Sequence, residues 1–149
     1  MVTELNIEHL GLLTALERQA LSGASDSQML EALGNDDACV LGWWQKGELQ
    51  GYAIVTRLPF EAELQAIGVL PECRRSGAGL ALMEAVLAKA KCWSSERLLL
   101  EVRKGNLSAI RLYKRSGFGE DGVRKGYYPP LPSQAAAGRE DALLMSQVL

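Results

Sequence analysis

The stretch from Glu61 to Val102 limits the possible folds more than any other part of the chain. Glu61–Leu70 is predicted to be a strand, and Pro71 ends it. A glycine-containing turn follows, and Gly79–Lys91 then carries apolar residues along one face of a predicted helix. Arg97–Val102 is almost wholly apolar, which is typical of a strand at the centre of a sheet. This strand–turn–helix–strand unit indicates a sheet covered by helices.

The rest of the chain adds strands and helices on either side of this unit. Helices are predicted after Asn6, from Ser25 to Leu33 and from Asn106 to Arg115, because polar caps precede apolar spacing in each case. Further strands are predicted at Val2–Leu5, Ala38–Gln45, Leu49–Leu58, Phe118–Tyr128 and Arg139–Leu149, with Lys46-Gly47 as a hairpin turn. The order β-α-α-β-β-β-α-β-α-β-β predicts one α+β domain over residues 1–149. Its sheet is expected to be mixed, with helices on both faces.

The composition excludes several classes of protein. A chain of 149 residues with 48% apolar content suits one compact domain, and no apolar run approaches a membrane span of roughly 20 residues. The N-terminus lacks the pattern of a signal peptide. Three widely spaced cysteines and the single histidine, His9, argue against a disulfide framework, a zinc site and Ser-His or Cys-His catalysis. We therefore expect a cytoplasmic protein that uses no metal and has no membrane partner.

Charge is unevenly divided between the two parts of the chain. Residues 1–63 carry ten acidic and three basic residues, whereas residues 64–149 carry thirteen basic and eight acidic ones. One part therefore suits a cationic ligand and the other an anionic one, although an ordinary solvated surface explains the division equally well. The overall charge of −2 argues against nucleic acid as a partner.

The turn before the predicted helix has the features of a phosphate-binding loop. Glycines allow a ligand to approach the backbone, and the first N–H groups of a helix attract anions. Two arginines add positive charge. The loop reads Arg74-Arg75-Ser76-Gly77-Ala78-Gly79, which differs from both the Walker and the dinucleotide-binding patterns. Arginines beside Cys73 can lower the pKa of its thiol, but a bystander cysteine explains this residue as well.

Two polar side chains in the C-terminal part are candidates for proton transfer. Glu101 ends the apolar strand, where a partly desolvated carboxylate can act as a general base, and a salt bridge to Arg97 or Arg103 is the alternative. Tyr113 lies seven residues after Asn106, which is two helical turns, so the two share a face. A phenol there can deliver a proton. Helix capping by Asn106 and simple packing of Tyr113 are the alternatives.

Read in order, these motifs resemble the GCN5-related N-acetyltransferase (GNAT) superfamily over roughly residues 50–149. Ile67-Gly68-Val69 resembles the strand whose backbone pairs with the pantetheine arm, and Asn106 to Phe118 resembles the last-helix signature. The resemblance implies a GNAT-type fold and acetyl-coenzyme A as co-substrate. It implies cofactor-binding roles for Ile67, Gly68, Val69, Arg74, Arg75, Ser76, Gly77, Ala78, Gly79, Leu80 and Asn106. It also implies that Glu101 is the proton acceptor and Tyr113 the proton donor.

Within the superfamily, the C-terminal part is most similar to ribosomal-protein-alanine N-acetyltransferases. The similar stretches are Leu100 to Arg103, Arg124 to Pro129 and Gly138 to Met145. This resemblance implies N-terminal acetylation of a protein. Two departures concern regions that usually help to form the acceptor site. Leu21 to Ser25 replaces the usual Pro-Trp-Ser/Thr segment, and the loop from Pro130 to Ala137 is longer than expected.

Three functional hypotheses follow. The first is acetylation of a protein N-terminus, and the second is acetylation of a small amine such as a polyamine, an amino acid or an aminoglycoside. The third is a non-catalytic module that binds coenzyme A, against which the presence of both Glu101 and Tyr113 counts. The sequence indicates neither the acceptor amine nor the oligomeric state.

Overall fold

The computed structural model describes all 149 residues, which form two compact units. The first unit comprises residues 1–98 together with Leu149, and the second comprises residues 99–148. None of the helices is long and apolar enough to span a bilayer. The expectation of a single N-acetyltransferase domain stays a prediction.

The chain forms seven strands and four α-helices. The strands are β1 (Val2–Glu4), β2 (Ala38–Gln45), β3 (Glu48–Arg57), β4 (Glu61–Val69), β5 (Arg97–Arg103), β6 (Gly119–Tyr128) and β7 (Glu140–Val148). The helices are α1 (Leu10–Ala20), α2 (Asp26–Leu33), α3 (Ala78–Cys92) and α4 (Leu107–Arg115). Short 3₁₀ turns cover Ile7–His9, Pro71–Cys73 and Pro132–Ala137. These elements confirm the predicted order and the α+β fold class.

The sheet of the first unit is antiparallel, with the strand order β1-β2-β3-β4. The hairpin between β2 and β3 turns at Lys46 and Gly47, whose φ angles of 54° and 78° match the right-handed twist of the flanking strands. In β4, Ala66 pairs with Ile54 and Leu64 with Val55, so one extra residue, Gln65, forms a bulge. The last residues of β4, which carry the candidate site, follow this bulge.

Helices cover both faces of this first sheet. Tyr52 and Ile54 of β3 are buried in a cluster with the apolar residues of α1 and α2. Gly51, one position along the strand, faces the opposite side, because a Cβ there would lie 3.2 Å from a methyl carbon of Leu82 in α3. The cluster on the α1 and α2 side comprises Leu5, Leu13, Leu16, Met29, Ala32, Val40, Tyr52 and Ile54. This core fixes α1 against β3.

In the second unit, β7 lies between β5 and β6 and pairs antiparallel with β6. Helix α4 connects β5 to β6 along the chain. The pairing of β6 with β7 shifts between Arg124 and Tyr128, where three residues of β6 stand opposite Asp141 alone. The Pro132–Ala137 turn before β7 is exposed.

Small differences from the predicted elements have local causes. The helix predicted after Asn6 begins as a 3₁₀ turn, and the Asn6 side chain caps this turn by accepting a hydrogen bond from the Glu8 amide (2.9 Å). Helix α3 begins at Ala78 rather than Gly79, because Gly77 with φ 87° is its N-cap. The loop predicted before the last strand contains the Pro132–Ala137 turn, which proline at its first position favours.

Candidate active site

The predicted pantetheine-binding strand is the end of β4. Ile67, Gly68 and Val69 pair with Ala53, Tyr52 and Gly51 of β3. A side chain does not fit at Gly68, because a Cβ there would overlap the Ser22 hydroxyl and come within 2.7 Å of the Tyr52 ring. Glycine is therefore required at this position by packing, and Ser22 of the α1–α2 connection touches the middle of the candidate strand.

The predicted phosphate loop lies between β4 and α3. Arg75 and Gly77 both have left-handed backbones, with φ angles of 69° and 87°. The first bond of the helix runs from the Ala81 amide to the Gly77 carbonyl (3.0 Å), and neither a capping side chain nor an acid occupies the first turn. The amides of residues 78–80 thus have no partner within the helix and lie at the positive end of its dipole. A Cβ at Gly77 would meet no atom within 4 Å, so the loop leaves open space beside this glycine.

Two polar side chains of the loop bond to the protein itself. The Arg74 guanidinium donates to the Ala20 carbonyl at the end of α1 (3.0 Å), where a cation complements the helix dipole. The Ser76 hydroxyl donates to the Cys73 carbonyl. These bonds shape the loop and connect it to α1, and the prediction that Arg74 and Ser76 contact phosphate stays a prediction.

Cys73, just before the loop, does not have the environment of a reactive thiol. Its side chain is buried and donates to the Gln50 side chain (3.1 Å). Burial, with the Glu72 carboxylate nearby, raises the pKa of the Cys73 thiol above its usual value. This shift is opposite to the lowering that the adjacent arginines could cause, and it favours the bystander interpretation, which stays a prediction.

In the second unit, Glu101 lies on the half-buried face of β5, while Leu98, Leu100 and Val102 are buried on the other. Its carboxylate forms an ion pair with Arg124 of β6, at 3.4 Å. Sequence analysis considered only near neighbours as partners and missed this one. Arg103 instead forms an ion pair with Glu140 of β7 (3.1 Å).

Tyr113 is buried in α4, with 6% of its surface exposed. Its ring packs against Phe118 with 6.0 Å between the ring centroids. Burial, with Tyr128 nearby, raises the pKa of Tyr113 to about 12. The phenol is consequently protonated at neutral pH, which is the state that a proton donor requires.

The ends of α4 hold Tyr113 in place. At the start, the Asn106 side chain accepts from the Ala109 amide (3.2 Å), so the predicted capping role is confirmed, whereas its contact with coenzyme A stays a prediction. At the end, the Gly117 amide donates to the Lys114 carbonyl (3.1 Å), and the Phe118 amide donates to the Tyr113 carbonyl (3.0 Å). This is a Schellman motif, which favours glycine at residue 117 because φ there is 101°.

The Tyr-Tyr segment of β6 lies at the bulge, residues 125–127, and at Tyr128, which follows it. The Arg124 guanidinium lies over the Tyr127 ring and the Arg103 guanidinium over the Tyr128 ring, each 4.7 Å from the ring centroid. Burial first, and then Glu101, raises the pKa of Tyr128. Tyr128 thus lies within electrostatic reach of Tyr113 and of Glu101, and sequence analysis had given it no part in proton transfer.

Two charged residues of the Gly-Arg-Glu-Asp segment hold this bulge, and the third holds Arg103, which lies over Tyr128. Arg139 donates to the Gly126 carbonyl (2.7 Å) and the Tyr127 carbonyl (2.9 Å). Asp141 accepts from the Gly126 amide (2.9 Å). Glu140 accepts from Arg103 (3.1 Å) and from the Gly105 amide (2.9 Å). The segment that the sequence offered only as a family signature therefore has a physical role, which is to fix the backbone that carries the two tyrosines.

Comparison with known proteins agrees with this geometry. Residues 10–118 match the model of the Acetyltransferase (GNAT) family. The chain is 38% identical over 102 residues to the [Ribosomal protein bS18]-alanine N-acetyltransferase of Escherichia coli, a match that covers 68% of this chain and 66% of that protein. The match thus spans just under two thirds of the relative's length.

Solved structures extend the similarity to nearly the whole chain. The crystal structure of the Escherichia coli ribosomal-protein-S18-alanine N-acetyltransferase has a TM-score of 0.86 and 29% identity, covering 99% of this chain and 92% of that one. The PaiA N-acetyltransferase of Thermoplasma acidophilum, in complex with coenzyme A, has a TM-score of 0.80 at 18% identity, covering 100% and 98%. The second likeness shows the fold alone.

Proposed function

Since this chain belongs to the Acetyltransferase (GNAT) family, we propose that it transfers the acetyl group of acetyl-coenzyme A to the N-terminal amine of a protein. The observation that carries the reaction is that the second unit holds both a half-buried carboxylate, Glu101, and a buried phenol, Tyr113. The 38% identity to a ribosomal-protein-alanine enzyme supports a ribosomal protein that begins with alanine as the acceptor. The three cysteines of this chain, Cys39, Cys73 and Cys92, are all free, which suits the reducing cytoplasm, where we place the reaction.

We propose the following division of work between residues. Glu101 accepts a proton from the acceptor, whose α-amino pKa of about 8 leaves it mostly protonated at neutral pH. The neutral amine attacks the thioester carbonyl, and the Val69 amide stabilises the negative charge on its oxygen. As the C–S bond breaks, Tyr113 donates its proton to the departing thiolate, and the proton that the new amide nitrogen loses restores the Tyr113 phenol. No covalent intermediate with the enzyme is needed.

Except for Asn106, which belongs to the second unit, the residues that we propose as co-substrate contacts are in the first unit. The backbone of Ile67, Gly68 and Val69 binds the pantetheine arm, and the amides of Gly77, Ala78, Gly79 and Leu80 bind the pyrophosphate with Arg75. The uncapped start of α3 and the open space beside Gly77 support this assignment. Arg74 and Ser76 shape the loop through their own hydrogen bonds, and Asn106 adds a contact beyond its capping role.

Removal of the Tyr113 hydroxyl tests the proton donor. Tyr113→Phe keeps the ring and its contact with Phe118, so the fold and the affinity for acetyl-coenzyme A are expected to remain. Turnover is expected to fall about 10²-fold, within the usual range for general acid catalysis. Stopped-flow measurement of thiol release gives the rate, and Phe118→Leu is the packing control. Wild-type turnover in Tyr113→Phe would assign Tyr113 to packing alone.

Acceptor preference separates the protein N-terminus from a small amine. Residues 1–63 are rich in acids, so a peptide that begins with alanine and continues with arginine is expected to be a better substrate than one that continues with glutamate. Its kcat/KM is expected to fall as salt rises, because exposed charges are screened. We propose Glu61 and Glu63 as the main contributors to this attraction. Asp36→Asn is the control, because it removes an acid at another position.

The experiment compares kcat/KM for Ala-Arg-Tyr-Phe, Ala-Glu-Tyr-Phe, spermidine and free alanine. The proposal predicts that Ala-Arg-Tyr-Phe is the best of the four and that its kcat/KM depends more strongly on salt than that of Ala-Glu-Tyr-Phe. A higher kcat/KM for spermidine or free alanine would show that the acceptor is a small amine, while the family assignment would stand.

A further inference from the structure

Glu17 of α1 is a buried acid that the proposed reaction does not use. Only 8% of its surface is exposed, and both carboxylate oxygens are hydrogen-bonded. One oxygen accepts from the Tyr52 hydroxyl (2.7 Å) and from the Ser22 hydroxyl, and the other accepts from the Gly23 amide (3.0 Å). All three donors are neutral. Burial raises the pKa of Tyr52, so its phenol stays protonated and donates to Glu17.

These bonds connect the segment after α1 to the middle of the sheet. Ser22 and Gly23 belong to the connection between α1 and α2, whereas Tyr52 belongs to β3. The Ser22 and Tyr52 hydroxyls are also 2.8 Å apart, which closes a triangle with Glu17. A carboxylate buried among neutral donors costs more free energy than an apolar side chain of similar size, so simple packing does not account for it.

The triangle lies directly against the strand that we propose for thioester binding. Tyr52 pairs with Gly68, and a Cβ on Gly68 would overlap the Ser22 hydroxyl. An amine that attacks the thioester must come within about 3–3.5 Å of its carbonyl carbon. If the Val69 amide binds the carbonyl oxygen of the thioester, the side chain of the acceptor's first residue must fit beside Ser22.

We propose that Glu17 is a positioning residue that holds Ser22 against Gly68 and thereby limits the size of the first residue of the acceptor. This inference rests on the proposed function, because it takes the end of β4 as the thioester-binding strand. Ser22 and Gly23 lie in the stretch from Leu21 to Ser25, which sequence analysis identified as a departure from the family pattern. Hydrogen bonds to Glu17 hold these two residues in place.

Three substitutions remove parts of the triangle, and a fourth serves as the control. Glu17→Gln replaces an acceptor oxygen by a donor, whereas Tyr52→Phe and Ser22→Ala each remove one hydroxyl. Thr3→Val is the matched control, because it removes another side-chain hydrogen bond of the first unit, from the Trp44 indole to Thr3 (2.8 Å), without touching the triangle. Folding is checked by circular dichroism and acetyl-coenzyme A affinity by calorimetry.

The readout is kcat and KM for peptides that differ only in the first residue, alanine or leucine. Glu17→Gln is expected to raise KM for the alanine peptide about tenfold and to reduce the preference for alanine about tenfold, the usual effect of breaking a buried hydrogen bond. Tyr52→Phe and Ser22→Ala should likewise raise KM for the alanine peptide and reduce the preference for alanine. The kcat for the alanine peptide and the cofactor affinity should stay within about twofold, and Thr3→Val should behave as wild type.

Tyr52→Phe and Ser22→Ala decide the outcome if Glu17→Gln does not fold. Wild-type KM and wild-type preference for alanine in the folded variants would overturn the inference and leave the proposed function intact. A wild-type enzyme that acetylates no peptide would overturn both the inference and the proposed function. That failure would appear before any variant is made.

Discussion

A Gly77→Glu variant is expected to fold and to show no measurable binding of acetyl-coenzyme A. The new side chain would enter the open space beside the start of α3, where we place the pyrophosphate. Two like charges about 4 Å apart near a protein surface repel by about 4 kcal/mol at an effective dielectric constant of about 20. That energy corresponds to about a 10³-fold loss of affinity, and the steric overlap adds to it. Isothermal titration calorimetry measures the loss directly.

Gly47→Glu is the matched control for this experiment. Gly47 also has a left-handed backbone, with φ 78° against 87° for Gly77, and a Cβ there also meets no atom within 4 Å. Both substitutions therefore carry a similar conformational cost of about 1–2 kcal/mol and the same added charge. Gly47→Glu should bind acetyl-coenzyme A as wild type does. Unchanged affinity in a well-folded Gly77→Glu would remove the basis for placing the pyrophosphate at this loop.

Replacing Glu101 by Gln is expected to lower kcat/KM at pH 7 by about 10²–10⁴-fold, the range for general base catalysis. The substitution is nearly isosteric and removes the ability to accept a proton. The deficit should shrink as pH rises. At pH 7 only about a tenth of an α-amine with a pKa of about 8 is neutral, whereas at pH 9 about nine tenths is. The ratio of wild-type to variant activity should therefore fall by up to about tenfold between these pH values.

The ion pair with Arg124 offers a control for the Glu101 experiment. Glu101→Gln breaks this pair, which has 3.4 Å between charged groups and more than half of the Arg124 side chain exposed. Arg124→Gln breaks the same pair and leaves the carboxylate in place. An exposed ion pair contributes only about 0–1 kcal/mol, so Arg124→Gln should retain most of the activity at pH 7. A Glu101→Gln enzyme that is equally slow at every pH would instead show that Glu101 positions the substrate.

Local patterns in the sequence predicted most of the fold. The alternation of β4, the glycine-rich turn and the apolar face of α3 depend on neighbouring residues, and each appears within a residue of its predicted place. The Lys46-Gly47 turn follows the same rule, because the backbone conformation of a two-residue hairpin restricts which residues can form it. The capping of α4 by Asn106 was likewise visible from local spacing.

The site was less predictable because its contacts join residues that are far apart in the chain. Nothing near Glu101 in the sequence indicates Arg124, and nothing near Arg74 indicates the Ala20 carbonyl. The role of Asp141 in holding Gly126 depends on a bulge, which no strand pattern predicts.

Glu17 is the exception among these long-range features, because the sequence does contain a signal for it. Leu13, Leu16, Glu17 and Ala20 stand at i, i+3, i+4 and i+7, which is the spacing of a buried helix face. A single acid within such an apolar stripe predicts a buried carboxylate that needs hydrogen-bond donors. The identity of those donors, Ser22, Gly23 and Tyr52, becomes clear only from the structure.

The central claim is that the acceptor is the N-terminal amine of a protein, and the position of the acetyl group in the product tests it most directly. A peptide that begins with Ala-Arg-Tyr-Phe and ends with lysine offers one α-amine and one side-chain amine to the enzyme. After incubation with acetyl-coenzyme A, fragmentation by mass spectrometry locates the added acetyl group. The account predicts acetylation of the alanine α-amine and an unmodified lysine. Acetylation of the lysine side chain with an unmodified α-amine would contradict it.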